Sequence, residues 1–232
     1  MAHPQPLSDP DISLQVDDLH KSFGALEVLK GVSLQAREGD VISMLGSSGS
    51  GKSTFLRCIN LLEMPNAGTV TVHGEVIKMA TDRHGDFRPT DARQVERIRS
   101  RLAMVFQSFN LWSHMTVLEN VILGAEDGAM LRPSLAKARG VLKQLAEEYE
   151  LNVDPDALIE NLSVGHQQRV EILKALYREA DILILDEPTG VLTPAEADHL
   201  FRILEGLKRE GTPIILITHQ LRDITELTAP VS

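Results

Sequence analysis

Two runs in this chain, DILILD at 181–186 and PIILIT at 213–218, are apolar at almost every position. A strand with one wet face alternates, whereas one that is apolar throughout is covered on both faces, the habit of a parallel sheet between helical layers. Between the two runs, Thr193 stands as a helix N-cap, Pro194 at the first helical position, Glu196 three residues after the cap and Gly211 as a stop. That strand, helix, strand unit constrains the chain to an α/β fold. ISLQV (12–16), VISML (41–45) and RLAMVF (101–106) read as further strands. From about Thr116 to Ala180 the pattern is mostly helical, with Leu135, Ala138, Leu142, Leu145 and Tyr149 on one apolar stripe. The charged stretch at 82–97 reads as a solvated loop entering a helix.

Length and composition narrow the function. The 232 residues, 43% apolar, suffice for one well-cored domain with a packed subdomain. A net charge of −10 argues against a nucleic-acid binder, which needs clustered Lys and Arg for the phosphates. Free nucleotides need only a few local donors. The single cysteine, Cys58, cannot form an internal disulfide. The first residues do not read as a signal peptide, and no apolar run approaches the roughly 20 residues that span a bilayer, so a membrane role would pass through a partner.

The most specific motif is GSSGSGKST at 46–54, between the strand VISML and the helical FLRCINLL. Gly46, Gly49 and Gly51 let successive N–H groups converge on a phosphate chain, Lys52 adds a point charge, and the Ser53 hydroxyl can ligate Mg²⁺. ILILDEP (182–188) adds a carboxylate pair at a strand end: Asp186 to hold Mg²⁺ through water, Glu187 to orient or deprotonate an attacking water. Pro188 keeps Glu187 out of helical conformation. An acidic pair after a strand is by itself most often a loop start; beside a phosphate loop it reads as catalytic. Gln107 and His219 also close strands and gain weight only from this company. A second anion-friendly helix start, NLSVGHQQRVEIL at 161–173, reads alone as a helix capped by Ser163.

In this order, GSSGSGKST, FQSFNLW, LSVGHQQR, ILILDEP and THQ resemble the nucleotide-binding domain of ATP-binding cassette (ABC) transporters over essentially the whole chain. The resemblance implies a P-loop NTPase core with a mainly parallel sheet, an N-terminal antiparallel β region and a helical subdomain. On that scheme residues 1–110 and 181–232 form the core and 111–180 the helical subdomain. Phe23 would stack on adenine, and Ser48, Gly49, Ser50, Gly51, Lys52, Ser53 and Thr54 would hold the phosphates of ATP. Mg²⁺ would be held by Ser53, Gln107 and Asp186; Glu187 would be the base and His219 would contact the γ-phosphate. Ser163, Gly165 and His166 would serve the γ-phosphate of a second, head-to-tail ATPase subunit. Permease subunits in the membrane would be the other partners, with the chain on the inner, cytoplasmic face.

Three departures stand out. The signature reads LSVGH where the family usually has a second glycine and a glutamine; PTGVLTP lacks the aspartate that commonly joins the two sites; and the chain ends at TELTAPVS, where relatives continue, leaving an expected open sheet edge. The first half, to about Val121, resembles polar amino-acid importers and the rest nucleoside or simple-sugar importers, which sets divergence against a chimera. The expected function is the ATP-hydrolysing subunit of an importer. The rivals are a nucleotide-gated dimerisation module with weak ATPase activity and a soluble, non-transport ABC ATPase. SFNLWSHM (108–115) is expected to be a partly exposed docking patch.

Overall fold

The computed structural model describes residues 11–106, 109–123 and 132–218. The described residues open with a long hairpin, β1 (Ile12–Phe23) and β2 (Leu26–Arg37). Next, β3 (Val41–Met44) runs into the glycine-rich loop and α1 (Lys52–Ile59). β4 (Ala67–Val72) pairs antiparallel with β1, and β5 (Glu75–Val76) with β4, giving the order β2-β1-β4-β5. Gly68 is required by that pairing, because a Cβ there would lie 2.6 Å from the Asp18 carbonyl oxygen.

A short hairpin, β6 (Met79–Thr81) and β7 (Phe87–Pro89), leads to α2 (Ala92–Arg101). The expected loop at 82–97 is therefore largely ordered. The Asp82 carboxylate accepts from the His84 and Asp86 N–H groups to close the hairpin turn, and Asp91 caps α2 by accepting from Arg93 and Gln94.

β8 (Leu102–Val105), β9 (Ile182–Asp186) and β10 (Ile214–Ile217) join β3 in an all-parallel sheet of order β3-β10-β9-β8. Register places Ile217 beside Met44 on one side and Asp186 on the other. The glycine-rich loop and the acidic pair thus leave the same end of the sheet. The remaining α-helices among the described residues are α3 (Val117–Leu123), α4 (Arg132–Glu148), α5 (Val164–Tyr177) and α6 (Pro194–Arg209). α6 begins with the capping box expected of Thr193 and Glu196.

Alternation along the parallel strands divides the interior in two. Ile182, Ile184, Ile215 and Ile217 pack with Phe55, Leu56 and Ile59 of α1 and with Leu14, Val16 and Val70 of the antiparallel sheet. Leu183, Leu185, Ile214 and Leu216 face the helices, meeting Val121, Leu142, Leu173 and Leu204. Both faces are covered, and each fully buried side chain of this size contributes about 1.5–3 kcal/mol. Among the described residues no helix is long and apolar enough to cross a membrane.

Candidate functional site

The loop after β3 is shaped by left-handed backbone at Gly49 (φ 78°) and Gly51 (φ 93°). Gly51 is doubly constrained, since a Cβ would also lie 2.9 Å from Val28 Cγ1. It is the N-cap of α1 and makes no side-chain cap, so the first N–H groups of the helix face the loop. Lys52 reaches back across that loop: Nζ donates to the Gly46 carbonyl (2.7 Å), the Ser47 carbonyl (2.9 Å) and Ser50 Oγ (3.3 Å). Ser48 and Ser50 are exposed on the loop, and Thr54 is half-buried in the first turn of α1.

The acidic pair meets this loop directly. Ser53 Oγ donates to Asp186 Oδ1 at 2.9 Å, joining residues 133 positions apart. Asp186 is only 5% exposed. Burial pushes its carboxyl up from the ordinary aspartate value; the Ser53 hydroxyl opposes this, the Glu187 carboxylate adds to it, and Arg57 and Lys52 pull it down. Glu187 has a positive φ of 52°, uncommon for a non-glycine residue. Its N–H donates to the Ile217 carbonyl (3.0 Å), and its own carbonyl accepts from Gly190 (3.3 Å).

The other expected residues stand apart. Phe23, at the end of β1, is 46% exposed, with Lys21 Nζ 4.7 Å from its ring centroid. Ser163 caps α5, and its hydroxyl is bonded to His166 Nδ1 at 2.7 Å, within its own helix rather than to the glycine-rich loop. Gly165 is packed so closely on the next helix that a Cβ would collide with the Glu196 carboxylate. Gln107 and His219 lie outside the described residues. Sequence reasoning missed Gln168, whose Nε2 donates to the Pro188 carbonyl. Helical arithmetic could have found it: Gly165, Gln168, Ile172 and Ala175 form one buried row on α5.

A cleft of about 270 Å³ opens beside α3 and α5, lined among others by Phe106, Asn110, Trp112, Glu171, Lys174 and Arg178. Trp112 is 56% exposed at its mouth. Lys174 fixes the wall, donating to the Asn110 carbonyl (2.9 Å) and the buried Glu171 carboxylate (2.7 Å).

Residues 29–190 match the sequence family described as ABC transporter. The chain belongs to the ABC transporter family. This ABC protein is 47% identical to the arginine/ornithine transport ATP-binding protein AotP of Pseudomonas aeruginosa over 210 residues, 90% of this chain and 81% of the relative. It is 49% identical to the histidine/lysine/arginine/ornithine transport ATP-binding protein HisP of Salmonella typhimurium over 211 residues, 90% of this chain and 80% of the relative. Among solved structures it resembles a bacterial ABC transporter cassette determined as a dimer, with a TM-score of 0.77 and 29% identity over 92% of this chain and 90% of that one. That cassette is also known in a post-hydrolysis state bound to ADP and Pi.

Membership makes the ABC protein an ATP-binding, ATP-hydrolysing subunit of a transport complex, working with permease subunits and a second cassette. The similarity to amino-acid transport proteins runs through both halves of the sequence. A chimera with its junction near Val121 therefore finds no support.

Proposed function

We propose that the chain energises the import of a polar amino acid, from the inner face of the cell membrane, by closing head-to-tail on a second cassette around two ATP molecules. The observation that carries the nucleotide chemistry is the Ser53–Asp186 hydrogen bond, which brings the phosphate loop and the acidic strand end to one place. The transport proteins for arginine, ornithine, histidine and lysine among the relatives support the substrate class.

The geometry supports the roles proposed for the described residues, and the family resemblance those of Gln107 and His219. The N–H groups from Ser48 to Thr54 cradle the phosphates, and Lys52 exchanges its bonds to loop carbonyls for bonds to the β- and γ-phosphates. Phe23 offers its exposed ring to adenine. Ser53 and Asp186 present hard oxygens side by side, a donor set that fits Mg²⁺, with Gln107 as a further ligand. Mg²⁺ would neutralise charge on the β- and γ-phosphates. Glu187 orients and deprotonates the water that attacks in line, and His219 contacts the γ-phosphate. Ser163, the Gly165 backbone and His166 offer the start of α5 to the γ-phosphate held by the other cassette.

Residues 1–110 and 181–232 would act as the core, and 111–180 as a helical subdomain that swings with the permease. The cleft beside Trp112 is its docking place, since it joins exposed aromatic surface to polar walls.

Glu187→Gln tests this reading. It keeps the shape of the side chain and leaves Asp186 in place but removes the base, so ATP should drive the variant into a stable dimer with hydrolysis lost. Gel filtration showing only monomer with ATP, while the unmutated protein dimerises, would count against the sandwich.

A further inference from the structure

Gln168 is 2% exposed and sits on the row of α5 that faces the body of the protein. Leu151, Ile172, Leu192 and Leu200, together with the ionisable Arg169, Glu196 and His199, line the same pocket as Gln168. Its Oε1 is buried without a hydrogen-bond partner, so the amide carries a desolvation cost that a leucine would not. Its Nε2 spends its hydrogen bond on a single acceptor, the carbonyl of Pro188.

That acceptor is well placed to matter. Pro188 follows Glu187 and has no N–H, so its carbonyl is the one main-chain hydrogen-bonding group it offers. Upstream, Glu187 is held in left-handed backbone with its N–H on Ile217. The peptide before Glu187 and the peptide after Pro188 are thereby fixed by different layers, β10 on one side and α5 on the other.

We infer that Gln168 is a positioning residue for Glu187. By gripping the Pro188 carbonyl it makes the direction of the hydrolytic carboxylate depend on where α5 stands. The same helix opens with Ser163 and His166, the residues offered to the partner's nucleotide, so its seating is read out in its own chain's chemistry. This inference rests on the proposal that Glu187 activates water.

The test is ATP hydrolysis by the full chain carrying Gln168→Leu, Gln168→Glu or Glu187→Gln. Gln168→Leu should lower kcat about tenfold or more, with KM for ATP changing less than about twofold, because misdirecting a base by a fraction of an ångström slows chemistry without touching the phosphate cradle. Unchanged kcat, or kcat and ATP affinity falling together, overturns the inference.

Gln168→Glu supplies a readout that mere packing would not move. A buried carboxyl titrates above the ordinary glutamate value, and only its protonated form can donate to Pro188. Its kcat relative to the unmutated chain should therefore recover as pH falls from about 8 to about 6. A flat ratio rejects the idea, and decides the matter alone if Gln168→Leu does not fold. Glu187→Gln separates the two levels. If it hydrolyses ATP at the unmutated rate, the assignment of the base fails; if it is inactive beside an unaffected Gln168→Leu, only the role of Gln168 fails.

Discussion

Tyr149 shows what a helix end does to a single ionisable group. Its hydroxyl donates to Glu210 Oε2 at 3.2 Å where the end of α4 meets the end of α6. Burial first, then the Glu210 and Glu148 carboxylates, push the phenol up to about 12. The folded state therefore holds the proton more tightly than the unfolded chain, whose tyrosines titrate near 10. The stability this contributes is whole below about pH 10 and is lost as pH rises toward about 12. Tyr149→Phe should remove the late-titrating component from the ultraviolet phenolate signal and flatten the alkaline decline in stability. A difference titration centred on the ordinary tyrosine value would show the account to be wrong. Asp186 also has a raised value, from burial; there the Ser53 hydroxyl opposes the rise, the Glu187 carboxylate adds to it, and Arg57 and Lys52 pull against it.

At the scale of elements, α6 was legible in the sequence because its determinants are local. Thr193 accepts from the Glu196 N–H at 3.4 Å, and the Glu196 carboxylate accepts from the Thr193 N–H (2.9 Å) and hydroxyl (2.8 Å). Thr193→Ala should cost about 1 kcal/mol of stability in urea unfolding followed by circular dichroism. An unmoved midpoint would deny the cap its role. The backbone bond from Thr193 first, and its hydroxyl second, hold the Glu196 carboxyl below the usual glutamate value. That contribution is present above the ordinary value and fades as pH falls through the lowered one, so the variant should also lose less stability on acidification. The buried strands and the glycine-rich loop were readable for the same reason, being written in contiguous residues. The β6–β7 hairpin was not, because its signal is a pair of three-residue strands, one just before the charged stretch and one within it, tied by Asp82. Helical spacing places Gln168 on the buried row of α5, but its partner, the Pro188 carbonyl, is decided by packing. The meeting of Ser53 with Asp186 could be expected from motif order but not measured without the sheet register.

The whole molecule poses the question of where the start of α5 does its work. Within one chain, Ser163 and His166 bond to each other while Lys52 closes over its own loop. Two anion-friendly helix starts in one small protein make sense if each ATP is held by the loop of one copy and capped by α5 of another. Lys52→Ala removes the charge facing the phosphates, and Ser163→Arg obstructs the other start while leaving ATP binding to the single chain nearly intact. Each variant alone should be inactive, because both sites of its dimer carry the same lesion. In a mixed dimer both lesions fall in one site, leaving the other with an intact Lys52 facing an intact Ser163. Mixing two inactive proteins should therefore restore part of the ATPase activity. If verified mixed dimers stay inactive, adding Glu187→Gln to the Ser163→Arg chain separates the two explanations. In that dimer the Lys52→Ala chain contributes the intact Ser163, and the doubly substituted chain keeps its Lys52 but lacks the base. Trapped ATP would mean that the sound site forms and that hydrolysis needs both sites together; no trapped ATP would mean that α5 never caps a partner's nucleotide.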